Sequence, residues 1–184
     1  SQGRLRLGIG VGWNPAEYQT LGQDFHSRGR RQSEQVQVLQ RLWTQRLVSY
    51  QGEFHTLPDV GINPLPVQRP IPIWFGGGAD PVLKRMARLG DGWMPNSQPI
   101  ELLAERLARL RTYLEQRGRD PTGFGVDVRI DMRDTGRDAW AATVERLLPL
   151  GITHLCINTM NMGFEPPAHL DALAAFKSVI DTYL

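Results

Sequence analysis

The stretch PIWFGGGADP, residues 72–81, contains the sharpest change of pattern in the chain. Its first four residues are apolar without interruption, which is typical of a strand buried in a parallel sheet under helices. Three glycines end the run, and Asp80 and Pro81 then suit the N-cap and the first position of a helix. The stretch therefore predicts a buried strand, a glycine turn and a helix that ends near Gly90.

The same order of strand and helix precedes this stretch. The segment LRLGIGVG, residues 5–12, predicts another buried strand, and an apolar stripe at helical spacing predicts a helix over about residues 27–46. Between this helix and Pro72 we expect an insert at about residues 48–72. Its first part predicts a small hairpin, and its second part, with four prolines, predicts extended irregular chain.

Three more units of strand and helix follow. We expect Cys156 to lie in the core, because it sits within an apolar strand segment, and we expect Leu170, Leu173 and Phe176 to face inward from the last helix. The predicted elements are a short strand at 91–96, a helix at 99–117, a strand at 124–132, a helix at 138–150, a strand at 153–160 and a helix at 166–183.

This alternation predicts an α/β fold with a parallel sheet covered by helices. Two architectures agree with it. Five units would complete an open doubly wound sheet, whereas they would form only part of a barrel of eight units. The spacing of the elements alone does not decide between the two.

Composition places the chain among ordinary globular proteins. A chain of 184 residues with 41% hydrophobic and 22% charged residues has the size and balance of one soluble domain. Its apolar runs are too short to cross a bilayer, so we expect a soluble cytoplasmic protein. A single cysteine excludes an internal disulfide, and four histidines on separate segments show no metal-ligand spacing.

The basic residues are unusual in type. All but two of the 21, Lys84 and Lys177, are arginine, although the formal net charge is only +2. Because the arginines are spread along predicted helices, we interpret them as solvated helix faces and not as a nucleic-acid interface.

The candidate binding residues follow the predicted strands, because ligands of parallel α/β folds bind at the carboxyl ends of the strands. Gly76, Gly77 and Gly78 lack Cβ atoms and precede a helix N-terminus, an arrangement that suits a phosphate. A tight turn that needs positive φ explains the same glycines equally well. Further candidates for lining a pocket are Met94, Asn96, Arg133, Thr159 and Asn161. Asp127 and Asp131 could face a barrel interior or pair with Arg129 and Arg133.

The glycines of the first strand do not form a dinucleotide fingerprint. Gly8, Gly10 and Gly12 are followed by Trp13 and Asn14 where a third glycine and a helix should come. Trp13 and Asn14 could act as a wall and a polar contact of a binding site. Packing and turn chemistry are the interpretation that we favour for them from the residues alone.

Taken together, these motifs resemble the luciferase-like monooxygenase family, and most closely its subgroup of coenzyme F-420 (deazaflavin)-dependent oxidoreductases. The resemblance covers almost the entire chain and is densest over residues 1–96. The segments that carry it are SQGRLRLGIGVGWNPAEY at 1–18, RLWT at 41–44, NPLPVQRPIPIWFGGG at 63–78 and RLGDGWMPN at 88–96.

The resemblance implies a TIM (β/α)8 barrel, of which residues 1–184 would be the C-terminal portion with about five of the eight units. The N-terminal units would be absent. It also implies that Gly76, Gly77 and Gly78 contact the phosphate of coenzyme F-420, or alternatively of FMN. Val11, Gly12 and Trp13 would line the same cleft, and an intact member could pair with a second copy through its helices.

Three functions follow as hypotheses. The first is hydride transfer between coenzyme F-420 and a small organic substrate, and the second is an FMN-dependent monooxygenation with molecular oxygen. The third is a non-catalytic flavin-binding or phosphate-binding protein. An open sheet that binds a nucleotide remains a further alternative, and no catalytic residues or substrate can be assigned from the sequence.

Overall fold

The computed structural model describes residues 2–132 and 137–183. The chain divides into two compact units, Ser1–Gly92 and Trp93–Leu184. Strands and helices alternate through both compact units, and each unit contains a pair of parallel strands. The predicted α/β class is therefore confirmed.

The first unit contains the parallel pair β1 (Leu7–Ile9) and β4 (Ile73–Gly76), in which Leu7 lies opposite Ile73 and Ile9 opposite Phe75. β4 is buried as predicted, but β1 is half-buried or exposed, because it pairs with β4 at one end of its sheet. The other elements are α1 (Pro15–Thr20), α2 (Arg28–Thr44), the antiparallel hairpin β2 (Val48–Gln51) and β3 (Thr56–Val60), and α3 (Asp80–Leu89).

Close packing fixes β4 against the segment Gly90–Gly92. A Cβ atom on Gly92 would lie 2.2 Å from Cδ2 of Trp74, and one on Gly90 would lie 2.7 Å from Cδ2 of Phe75. Between these glycines, the Asp91 N–H donates to the Ile73 carbonyl at 2.7 Å, and Oδ2 of Asp91 accepts the Ile73 N–H at 2.9 Å. The glycines therefore make room for two buried rings while Asp91 holds the first residue of the strand.

A buried carboxylate holds the hairpin. Glu34 of α2 is only 8% exposed, and its two oxygens accept the N–H groups of Glu53, Phe54 and His55 at 2.7–3.2 Å. Nδ1 of His55 also lies 2.9 Å from Oε1 of Glu34. Burial raises the pKa of Glu34, but the hydrogen bonds from His55, Phe54 and Glu53 outweigh it, so the pKa lies below its ordinary value.

The helix caps correct one expectation. The N-cap of α3 is Ala79, and Asp80 is the first helical residue instead of the predicted cap. Its carboxylate pairs with Nζ of Lys84 at 2.8 Å, one helical turn later. An acidic residue is favourable in either position, so sequence reasoning could not distinguish them.

The second unit is built on the parallel pair β6 (Gly125–Asp131) and β7 (His154–Asn158). Four apolar residues of α4, which are Leu103, Leu107, Leu110 and Leu114, are buried as predicted. The other elements are β5 (Gly92–Met94), which begins at the last residue of the first unit, α4 (Ile100–Glu115), α5 (Arg137–Leu147) and α6 (Pro166–Ile180).

Residues alternate between two different faces of the β6–β7 pair. The apolar residues Val126, Val128 and Ile130 are buried, whereas Arg129 and Cys156, which lie opposite each other, are exposed. The expectation that Cys156 lies in the core is wrong. Its neighbours in β7 point to the apolar side, and the period of two places the thiol on the polar side.

The buried face of α6 also differs from the expected one. Phe176 and Val179 are buried, and the Phe176 ring lies 5.6 Å from that of Trp140 in α5. Leu170 and Leu173, predicted to face inward, are 70% and 41% exposed. The helix therefore packs through a stripe displaced by a few residues toward its C-terminus.

None of the helices in the described ranges combines the length and the apolar character that crossing a membrane requires.

The Gly92→Ala substitution is expected to destabilise the chain by about 1–3 kcal/mol, because the added methyl group would overlap the buried Trp74 ring. Urea denaturation followed by tryptophan fluorescence measures the effect. The control is Gly123→Ala, where an added Cβ atom meets nothing within 4 Å. Equal denaturation midpoints for the two variants would contradict the close-packing argument.

Glu34 should make stability depend on pH. Its pKa is lower in the folded chain, so its contribution is fully present above the ordinary glutamate pKa of about 4.3 and is lost as pH falls through the lower folded value. In Glu34→Gln we expect a lower urea midpoint at pH 6 and a smaller further decline toward pH 3 than in the parent chain. Glu105→Gln, an exposed carboxylate paired with Arg109, is the control and should keep the parent's pH dependence.

Candidate functional site

The glycine turn after β4 is explained in part by backbone conformation. Gly77 has φ of +90°, a value that residues with a side chain rarely adopt. Crowding is not the reason, because a Cβ atom there would lie 3.7 Å from the nearest atom, Cγ1 of Val82. The tight-turn interpretation therefore holds for Gly77.

The same turn also has features of an anion site. α3 begins directly after it, and no side chain caps its first turn, so the positive end of the helix dipole lies beside Gly76–Gly78. Asp80 places a negative charge in that turn, and its pairing with Lys84 partly balances the charge. A helix start without a side-chain cap, beside residues that lack Cβ atoms, is an arrangement that suits an anion.

The parallel register brings the two predicted loops together. Ile9 lies opposite Phe75, so the residues that follow β1 and β4 leave the sheet at the same carboxyl edge. Val11, Gly12 and Trp13 follow β1, and the glycine turn follows β4. Five of the six residues predicted to bind the cofactor therefore lie on two neighbouring loops of the first unit, and the sixth, Gly76, is the last residue of β4.

The loop after β1 has a defined shape. Gly12 has φ of +73°, and the Tyr18 hydroxyl donates a hydrogen bond to the Val11 carbonyl. Oδ1 of Asn14 accepts the Ala16 N–H at 3.1 Å and so caps α1, which confirms turn chemistry for Asn14. Trp13 is 84% exposed, so packing does not explain it, and its indole ring is accessible to a ligand.

A cavity of about 470 Å³ lies elsewhere in the first unit. It runs between the end of β1, one face of α2 and the hairpin residue His55. None of the six predicted cofactor residues lines it, although its edge reaches Gly10, directly before Val11. Its lining residues are Gly8, Ile9, Gly10, Gln32, Gln35, Val36, Val38, Leu39 and His55.

The second unit carries a polar network at the carboxyl ends of its strands. Ser97 donates its hydroxyl to Oδ2 of Asp131 at 3.2 Å and accepts from Nη2 of Arg129 at 3.1 Å. Asn158, the last residue of β7, donates to Oδ1 of Asp131, and its own Oδ1 accepts the Met160 N–H at 3.1 Å. One carboxylate thus links the loop after β5 to the ends of β6 and β7.

The other expected pocket residues have separate surroundings. Oγ1 of Thr159 lies 2.8 Å from Nδ1 of His169, and Asn161 has φ of +61° on an exposed turn. Met94 is half-buried and Asn96 is exposed. Arg133 lies outside the described residues.

Two residues that matter here were not singled out from the sequence. Asn158 was passed over because it lies inside the apolar segment of β7, although the alternation Cys156, Asn158 marks it as belonging to the polar face. Ser97 directly follows the predicted strand at 91–96, and the sequence carries no other signal for it. Within the described ranges, no group of three or more His, Cys, Asp and Glu side chains is arranged to hold a metal ion.

Comparison with known proteins gives a family match. The family model described as luciferase-like monooxygenase matches residues 1–175. A Mycobacterium tuberculosis protein of unassigned function is 37% identical over 116 residues, which are 62% of this chain and 40% of that protein. The FMNH2-dependent dimethylsulfone monooxygenase of Pseudomonas putida is 29% identical over 78% of this chain and 40% of its own.

A deazaflavin enzyme is equally similar. The F420-dependent glucose-6-phosphate dehydrogenase of Segniliparus rotundus is 30% identical over 76% of this chain and 43% of its own. The chain therefore spans about two fifths of the length of these three relatives. The relatives include oxidoreductases of both cofactor types.

Solved structures decide the architecture that the sequence left open. The monooxygenase RslO1 from Streptomyces bottropensis matches all of this chain and 70% of its own with a TM-score of 0.85 at 19% identity. An F420-dependent secondary alcohol dehydrogenase matches 96% of this chain and 62% of its own with a TM-score of 0.63 at 18% identity. The fold is the luciferase-like TIM-barrel type, and the described residues contain five of its βα units.

The Asp131→Ala substitution is expected to lower the free energy of unfolding by about 1 kcal/mol, because Ser97 and Asn158 both lose their shared acceptor. Urea denaturation measures this. Asp171→Ala, on the exposed face of α6, is the control and should change stability by less than about 0.5 kcal/mol. If both variants behave alike, the carboxylate does not hold the strand ends.

Proposed function

The chain belongs to the luciferase-like monooxygenase family, and on that premise we propose that it forms the cofactor-phosphate end of an oxidoreductase that uses coenzyme F-420. The proposed reaction transfers a hydride between the deazaflavin and a small organic substrate. The proposed place of action is the cytoplasm.

The observation that carries this proposal is the register of β1 and β4. It brings Val11–Trp13 and Gly76–Gly78 to one carboxyl edge, where ligands of parallel α/β folds bind. A phosphate at Gly76–Gly78 would meet main-chain N–H groups and the uncapped start of α3. The exposed indole of Trp13, on the neighbouring loop, would offer a flat apolar surface to a ring system.

In this scheme, residues of the chain bind the cofactor phosphate and orient the cofactor ring. Gly77 holds the turn open toward the phosphate through its positive φ, and the hydrogen bond from Tyr18 to the Val11 carbonyl fixes the loop that carries Trp13. When bound, a deazaflavin supplies hydride transfer, whereas reduced FMN supplies oxygen activation. The protein's contribution is to position the ring and to keep water away from it.

Coenzyme F-420 is proposed first because the four segments at 1–18, 41–44, 63–78 and 88–96 together resemble the deazaflavin subgroup most. FMN is the second candidate, and the Pseudomonas putida relative, named as FMNH2-dependent, favours it. The two chemistries differ in oxygen use, since a hydride transfer consumes none. Oxygen uptake that accompanies substrate turnover would favour the FMN monooxygenase.

Titration of the purified chain with F-420 and with FMN, followed by cofactor fluorescence, tests the proposal. We expect saturable F-420 binding that is weakened at least about tenfold in Gly77→Asp, because a carboxylate would then face the phosphate. Gly118→Asp is the matched control, with φ of +67° and open space around it, and should bind as the parent does.

Gly77→Asn separates charge from backbone strain, because asparagine tolerates positive φ and is neutral. Its affinity should lie between those of the parent and Gly77→Asp, with the same circular dichroism spectrum. Equal F-420 affinity in the parent, Gly77→Asp and Gly118→Asp would overturn the assignment of the glycine turn to the phosphate.

A further inference from the structure

Arginines that the sequence placed on solvated helix faces gather between two helices of the first unit. Arg28 is the first residue of α2, and Arg85 and Arg88 are one turn apart on α3. The guanidinium of Arg85 lies directly on the α2 main chain, since a Cβ atom on Gly29 would be 2.2 Å from its Nη2. Arg28, Arg85 and Arg88 are called the arginine patch below.

No carboxylate pairs with these three side chains among residues 2–132 and 137–183. Nη1 of Arg85 donates to Oε1 of the buried Gln32 at 3.2 Å. Nη1 of Arg28 donates to the Phe25 carbonyl at 2.7 Å, its guanidinium lies 3.6 Å from the Phe25 ring centroid, and its Nε is buried without a hydrogen-bond partner. All the acceptors in contact with the patch are therefore neutral.

Two other cations of the chain, Lys84 and Arg109, have carboxylate partners. Lys84 pairs with Asp80 at 2.8 Å, and Arg109 pairs with Glu105 at 2.6 Å, each across one helical turn. In the patch, burial lowers the pKa of Arg85, and the charges of Arg88 and Arg28 lower it further. The folded chain thus holds like charges together, which costs free energy unless an anion neutralises them.

We propose that the arginine patch binds the phosphoryl group of a small phosphorylated molecule. A guanidinium presents its N–H groups as a planar fork that matches two phosphate oxygens, and it stays charged at neutral pH. A phosphate monoester carries a charge of about −1.5 to −2 there, so a single group balances most of the patch. The patch shares no residue with Gly76–Gly78, and it is a binding site in addition to the cofactor turn.

Calorimetric titration with inorganic pyrophosphate tests the proposal on the whole chain. We expect Arg85→Gln/Arg88→Gln to weaken one binding event by at least about tenfold, because charge-assisted hydrogen bonds are lost. The matched control is Arg106→Gln/Arg109→Gln on α4. It removes two charges at the same spacing, from side chains that already contact Gln98 and Glu105, and its affinity should equal the parent's.

Two single variants cover the case in which the double variant folds poorly. Arg88 is exposed, so Arg88→Gln should fold normally and still bind pyrophosphate more weakly than the parent. Arg85→Lys keeps the charge but loses the fork, and it should also bind more weakly. Acetate at equal ionic strength should not compete.

The outcomes distinguish this site from the cofactor site. Gly77→Asp should keep the binding event that the arginine patch provides, whatever happens to F-420. The proposal is overturned if the patch and control double variants lose affinity equally, since net charge alone would then explain the effect. It is also overturned if Arg85→Gln/Arg88→Gln binds as the parent does, or if acetate competes as well as pyrophosphate.

Discussion

The first unit depends on how closely β4 approaches the segment that follows α3. Trp74 and Phe75 can be buried only because the main chain at Gly92 and Gly90 carries no Cβ atom where their rings lie. Asp91, between these glycines, forms hydrogen bonds with both the N–H and the carbonyl of Ile73. Because β1 pairs in parallel with β4, the position of β4 also sets where the loops that follow both strands leave the sheet.

Much of the fold could be predicted because the relevant signals are local. The apolar run before Gly76–Gly78, the stripe of leucines in α4 and the hairpin at residues 48–57 each depend on residues within a few positions of one another. The contacts that escaped prediction link distant positions. Glu34 accepts hydrogen bonds from residues 19 to 21 positions later, and nothing in the sequence around it signals those partners.

The remaining differences concern which face of an element is buried. The β7 segment is apolar enough to suggest a fully buried strand, yet its period of two places Cys156 and Asn158 on a polar face. In the candidate site, the sequence identified the loops but not their interactions. Asp131 was recognised as a candidate, whereas its bonds to Ser97 and Asn158 required knowledge of strand order at the carboxyl edge.

The anchoring of the hairpin has a consequence for how its sequence can vary over evolution. Glu34 recognises three main-chain N–H groups, and every amino acid except proline provides one. The side chains of Glu53 and Phe54 are therefore not part of that anchor, and they can diverge while the hairpin keeps its place. Selection on this anchor would then act at Glu34, at His55, whose ring also contacts the carboxylate, and at Gly52, where a Cβ atom would lie 2.4 Å from Cδ of Glu34.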